Sequence, residues 1–289
     1  MSKVLQQHSE EDWDLIIKPK TGLFDLHLGD LWKYRYLLLL FVKRDFIAQY
    51  KQTILGPLWH VLQPLMTSLI FMFIFGRVAR IPTDGVPSIL FYLSGITLWN
   101  YFAACFTSTS NVFVTNSAIF GKVYFPRLVL PLSIVVSNII RFGVQLLLLT
   151  TVIIYYHFNG FSVNASLNLL LIPVLVLLMA GIGLGLGIIV SSLTTKYRDL
   201  TILVAFGVQL LMYATPIVYP LSYLNNTKYL ALVKLNPLTG IVESFRYALF
   251  GMGTFNGADL LYSAGFMVAV LFIGIVIFNK VEKTFMDTV

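Results

Sequence analysis

No Asp, Glu, Lys or Arg occurs between Asp84 and Lys122 or between Arg141 and Lys196, intervals of 37 and 54 residues. About 20 apolar residues suffice to cross the hydrocarbon core of a bilayer, so each interval has room for more than one crossing. Backbone polar groups in lipid must be satisfied within the segment, and these runs lack the alternation of a barrel strand, so the crossings are read as helices. The pattern predicts an all-α polytopic membrane protein with six transmembrane helices at 58–79, 88–111, 132–157, 167–192, 200–219 and 259–279.

Charge placement orients these spans. Only 11% of residues are charged, against roughly 25% in soluble domains, while 57% are hydrophobic. The net charge of +7 forms no basic stripe of the kind that binds nucleic acid; the cations sit at the ends of apolar runs. With the N-terminus inside, fourteen of the 20 Lys and Arg fall on the cytoplasmic side and five outside, with Arg141 inside the third span. By the positive-inside rule, both termini are cytoplasmic. The opening MSKVLQQHSEEDWDL lacks the basic, apolar and small-residue regions of a secretory signal and is expected to remain uncleaved. The economical division is a cytoplasmic N-terminal region at 1–57, one membrane domain at 58–279 and a tail at 280–289.

Two segments fit neither span nor loop. Residues 31–52, LWKYRYLLLLFVKRDFIAQYKQ, have too short an apolar stretch to cross and read as an amphipathic helix at the cytoplasmic interface, or as a short helix folded against the spans. Residues 228–251, KYLALVKLNPLTGIVESFRYALFG, are fairly apolar but carry Lys234, Glu243, Arg246 and an Asn-Pro break. Two short re-entrant helices before the last span would accommodate them, provided protein or a wet cavity covers their backbone; an amphipathic outer loop is the other reading.

Signatures of chemistry are missing. The nearest approach to a phosphate-binding loop, around FGKV at 120–123, has Asn116 where the first Gly belongs and Val123 where Ser or Thr belongs. None of the 13 acidic residues lies in the interior of a predicted span, Asp84 and Asp199 falling in loops and Asp259 at a span edge. An ion-coupled carrier normally keeps a carboxylate there. His8, His27, His60 and His157 are scattered, without metal-ligand spacing, and Cys105 is the sole cysteine, which excludes an intrachain disulfide. Gly181, Gly183, Gly185 and Gly187 form two overlapping small-xxx-small pairs suited to close helix contact. A membrane enzyme would need a large polar outer loop, and none is present.

The pieces LGPLWHVLQPL (55–65), FGKVYFPRLVLP (120–131), SSLTTKYRDL (191–200), TPIVYP (215–220) and NPLTGIVESFRYALFG (236–251) resemble, in order, the membrane subunits of ABC-2-type exporters. The closest resemblance is to exporters of O-antigen and other lipid-linked polysaccharides, with the teichoic-acid and capsule exporters as near relatives. The resemblance implies an inner-membrane permease that is not itself an enzyme, a homodimer paired with two copies of a separate ATPase. No cofactor is expected on this chain; ATP and Mg belong to the partner.

The resemblance also assigns roles. It makes FGKVYFPR the coupling element, with Lys122, Tyr124, Phe125, Pro126 and Arg127 touching the ATPase, although a basic loop obeying the topology rule reads the same way. Arg198 and Asp199 match the second cytoplasmic connection and either cap the fifth helix or meet the ATPase. Asn236, Pro237, Glu243 and Arg246 match an outer gate, in which the two charges, three apart, share a helix face and pair with each other or across the dimer. Aromatic residues such as Phe71, Phe73, Phe75, Tyr92, Trp99, Tyr101 and Phe102 would let sugar rings slide by stacking; interfacial belts and lipid-facing packing account for such residues equally. Arg141, well inside the third span, needs a wet cavity or a partner. It either meets the phosphate-bearing end of the substrate lipid, snorkels, or bonds backbone carbonyls. The alternative cargo is a drug or small lipid.

Overall fold

The computed structural model describes residues 28–51, 53–120, 125–162, 167–194, 197, 199–225 and 227–285. Every regular element among them is helical. The principal helices are α1 (Arg35–Tyr50), α2 (Gly56–Val78), α3 (Ser88–Ser110), α4 (Val129–Phe158), α5 (Asn168–Thr194), α6 (Leu200–Ala214), α7 (Pro237–Phe250) and α8 (Gly257–Phe285). Five of them, α2, α3, α4, α5 and α8, are long and apolar enough to cross a membrane.

The fifth expected span is shorter than its apolar run suggested. Helix α6 has 15 residues, about 22 Å at 1.5 Å per residue, against a core of about 30 Å. Pro216 explains the stop: the residue before a proline is driven out of helical backbone, and Thr215 is extended at φ −102°, ψ 143°. The remaining spans lie close to their expected bounds. The first ends in a π-helical turn, Met72–Val78, a widened ladder that often accompanies function.

Lipid tails are as apolar as leucine, so helices in a membrane associate through packing and close backbone approach. α3 is the centre of that packing: Tyr92, Leu93, Leu98 and Phe102 are fully buried, with α4 and α5 along its flanks and α7 on its N-terminal half. α5 wedges between α3 and α8, and its glycines divide the work. A Cβ on Gly183 or Gly187 would strike Cys105 or Thr109 of α3, at 3.0 and 2.5 Å. On Gly185 it would strike Val270 of α8 at 2.9 Å, and on Gly181 it would strike Met267.

α1 folds against α4, burying Val42 and packing Phe41 beside Phe113, Phe125, Val129 and Leu130. Its other side exposes Tyr36, Leu39, Leu40, Phe46 and Ile47, the side chains that an interfacial position would sink into lipid. The 228–251 segment forms two short helices, Leu230–Lys234 and α7, separated by the Asn-Pro break.

Candidate functional site

Two polar constellations stand out within an otherwise apolar molecule. The first ties α7 to the broken end of α6. Asn236 caps α7, its side chain accepting from Leu238 N–H at 3.0 Å while its amide donates to Thr215 Oγ1 at 2.8 Å. Pro237 occupies the first turn, where its missing N–H costs nothing. Arg246 Nη1 lies 3.3 Å from Glu243 Oε1, and both side chains are almost wholly buried.

The guanidinium does more than pair. Nη1 and Nη2 donate to the Pro216 and Ile217 carbonyls at 2.6 and 2.8 Å, carbonyls left without helical partners where α6 stops. The group also lies 3.6 Å above the Phe91 ring. Gly95 makes room for it, since a Cβ there would approach Nη2 to 2.8 Å. Glu243 accepts a further bond from Leu221 N–H at 3.3 Å. Burial raises the Glu243 carboxyl above its ordinary range, opposed by the adjacent guanidinium. Of the two alternatives for these charges, pairing within the chain is the one seen.

The second constellation surrounds Arg141. A cavity of about 200 Å³ opens between α2, α3 and α4, lined among others by His60, Gln63, Asn100, Asn138, Arg141 and Gln145. Asn100 Nδ2 donates to Gln145 Oε1 at 3.4 Å. Tyr101 also lines the cavity, and its hydroxyl and Asn138 Oδ1 are buried without a hydrogen-bond partner. At the end of α1, Gln49 is hydrogen-bonded to His60 at 2.7 Å; burial raises the Tyr50 phenol, and the Arg141 charge opposes that rise. A second cavity, of about 460 Å³, lies along the same helices towards the α1 side, lined by residues including Arg44, Thr107, Asn111 and Asn116.

Sequence reasoning singled out Arg141 and overlooked its surroundings. The signal was there: Asn138, Arg141 and Gln145 recur at three and four residues on α4, and Asn100, Thr107, Asn111 and Thr115 at seven, four and four along and just beyond α3. Each set lies on one helical face.

The candidate path aromatics do not share one surface. Phe71, Tyr92, Trp99 and Tyr101 are buried, whereas Phe73 is exposed. Phe71 meets Phe75 and Tyr92 edge-on at 5.4 and 6.3 Å, and Tyr101 packs on Phe142 at 5.2 Å.

In the coupling segment, Lys122 and Tyr124 lie outside the described residues, as does Arg198. Phe125 is turned inward, its ring 5.6 Å from that of Phe41, and Arg127 is buried as well. Pro126 is half-buried. Asp199 stands at the N-cap of α6, yet its exposed carboxylate makes no capping bond.

Comparison with known proteins bears on the whole arrangement. Residues 36–250 match the family model described as ABC-2 type transporter. The chain is 32% identical over 254 residues to an O-antigen export system permease protein, RfbA, of Klebsiella pneumoniae, covering 87% of this chain and 94% of that one. A protein of the same name from Myxococcus xanthus is 27% identical over 262 residues, with 90% and 98% covered.

Proposed function

The chain belongs to the ABC-2 type transporter family, and on that footing we propose that it is the permease through which a lipid-linked, O-antigen-like polysaccharide leaves the cytoplasm. The observation that carries this reading is the likeness to O-antigen export permeases over nearly the full length of both chains. The multi-pass helical architecture suits the task, with five helices able to cross a membrane. The protein sits in the inner membrane with both termini in the cytoplasm, a topology supported by the clustering of Lys and Arg on that side.

Energy comes from a separate ABC ATPase, because the sequence lacks the glycine-and-lysine loop that cradles phosphates. Two permease chains pair with two ATPase copies. In support of a pairing, the single chain leaves α6 thinly packed, with Ile202, Phe206 and Leu210 exposed. Lys122, Tyr124 and Pro126, with Arg198 and Asp199 from the second connection, form the surface that the ATPase moves; Phe125 itself packs inward beside Phe41 of α1 and Val129 and Leu130 of α4.

The helix pair around Asn236 and Pro237 dips into the outer leaflet and gates the exit. Backbone at that depth must be covered by protein, and α7 is buried along nearly its whole length.

Deleting the gene and following the lipid-linked glycan tests this function. Glycan accumulating on the cytoplasmic face of the inner membrane is the expected result. Normal surface polysaccharide would contradict it and leave a drug or small lipid as the cargo.

A further inference from the structure

The cavity around Arg141 holds a guanidinium with no carboxylate in ion-pair contact among the described residues, Asp45 acting on it only from farther away. That acidic residue of the neighbouring helix is taken by Arg44 at 2.7 Å. An uncompensated cation held among spans is costly unless the cavity holds water or an anion. The Tyr101 hydroxyl and the Asn138 amide oxygen lack a well-formed hydrogen bond within the protein, both lying near the Cys105 thiol, and the hydroxyl is the one able to donate to an anion. Both side chains are more than nine-tenths buried.

We propose that this cavity binds the phosphate of a lipid headgroup, with Arg141 as its cation and Tyr101 and the surrounding side-chain amides as its donors. The inference rests on the export reading for its context and adds to it a location where the phosphate-bearing end of a lipid is held.

Three observations select this ligand. A neutral sugar would leave the guanidinium uncompensated, whereas an anion answers it. The donors converge from three helices: Gln63 from α2, Tyr101 and Asn100 from α3, and Arg141 and Gln145 from α4. A phosphodiester's two unbridged oxygens meet the planar guanidinium fork with paired hydrogen bonds and keep lone pairs for the surrounding amides.

The third observation concerns access. The cavity borders α2, whose buried residues are few, while Met66, Leu69 and Ile70 are exposed on that helix. Ile139 and Ile140, next to Arg141 in α4, are exposed too. A headgroup seated here can leave its tail between these apolar faces in the bilayer. The polar stripe through Thr107 and Asn111 towards Arg44 gives the headgroup a polar approach from the α1 side.

The test uses the purified full-length chain without any ATPase, offered a polyprenyl diphosphate, phosphatidylglycerol or inorganic phosphate, with retention read by native mass spectrometry. The expected result is lipid retention that falls about tenfold in Arg141→Gln and less in Arg141→Lys, with no change in Arg35→Gln at the exposed end of α1. Tyr101→Phe removes a hydroxyl that lacks a well-formed hydrogen bond within the protein, so the fold should tolerate it while retention drops several-fold. Preference for the polyprenyl diphosphate assigns the site to the cargo lipid, and equal retention of phosphatidylglycerol assigns it to bulk lipid; each upholds a headgroup site. Retention of inorganic phosphate alone, or equal lipid retention by wild type, Arg141→Gln and Tyr101→Phe, overturns it. Because the readout needs no transport, its failure leaves the export reading to the deletion experiment.

Discussion

Arg246 is the residue that ties α7 to the end of α6. Its guanidinium answers one carboxylate and two carbonyls, all deep inside the protein. Removing one partner of a buried pair leaves the other charge uncompensated, at a cost of about 3–5 kcal/mol. Arg246→Met is therefore expected to lower the unfolding temperature in detergent sharply, and Gly95→Ala to lower it less by pushing the guanidinium aside. An unchanged melting curve for Arg246→Met would show that the buried network is not structural. The i, i+3 spacing of Glu243 and Arg246 put them on one helix face in the sequence, with pairing to each other or across the dimer both open. The carbonyls of Pro216 and Ile217 were not legible, since backbone acceptors some thirty positions away leave no mark on residue identity. Arg141 was conspicuous for the opposite reason, a lone charge in a long apolar run, whereas its neutral amide neighbours passed as ordinary polar residues.

At the scale of helices, the glycine run of α5 converts a two-residue repeat into two contact faces. Gly183 and Gly187 admit α3, while Gly181 and Gly185 admit α8. Gly187→Leu should split α5 from α3 and give aggregated protein on size-exclusion chromatography. Gly265→Leu on α8, where an added Cβ meets nothing within 4 Å, should elute as wild type. Equal behaviour of the two variants would mean that close approach is not what holds α5 in place. Hydropathy located five spans well because their length is written in uncharged residues. It overran at α6 because Ile217, Val218 and Tyr219 extend the apolar run past Pro216; composition registers solvent preference, and the proline registers backbone direction. The short helix-break-helix of 228–251 was legible through Asn236 and Pro237, a capping residue followed by one that fits the first turn.

Across the whole molecule, the proposed function couples a helical permease to an engine on another polypeptide. Surface charge at the coupling segment is where the two should meet, so Lys122→Glu is expected to weaken co-purification of the ATPase at least several-fold while the permease still inserts and folds. Undiminished co-purification would move the contact elsewhere. The most direct measurement is reconstitution: vesicles containing this chain, its ATPase or both are loaded with lipid-linked polysaccharide on the face bearing the ATPase, and glycan reaching the opposite face is counted as ATP is supplied. Transfer in vesicles holding both proteins, dependent on ATP and absent with either alone, is the predicted result. Sustained ATP-independent transfer by this chain alone, or none when both are present, would contradict it.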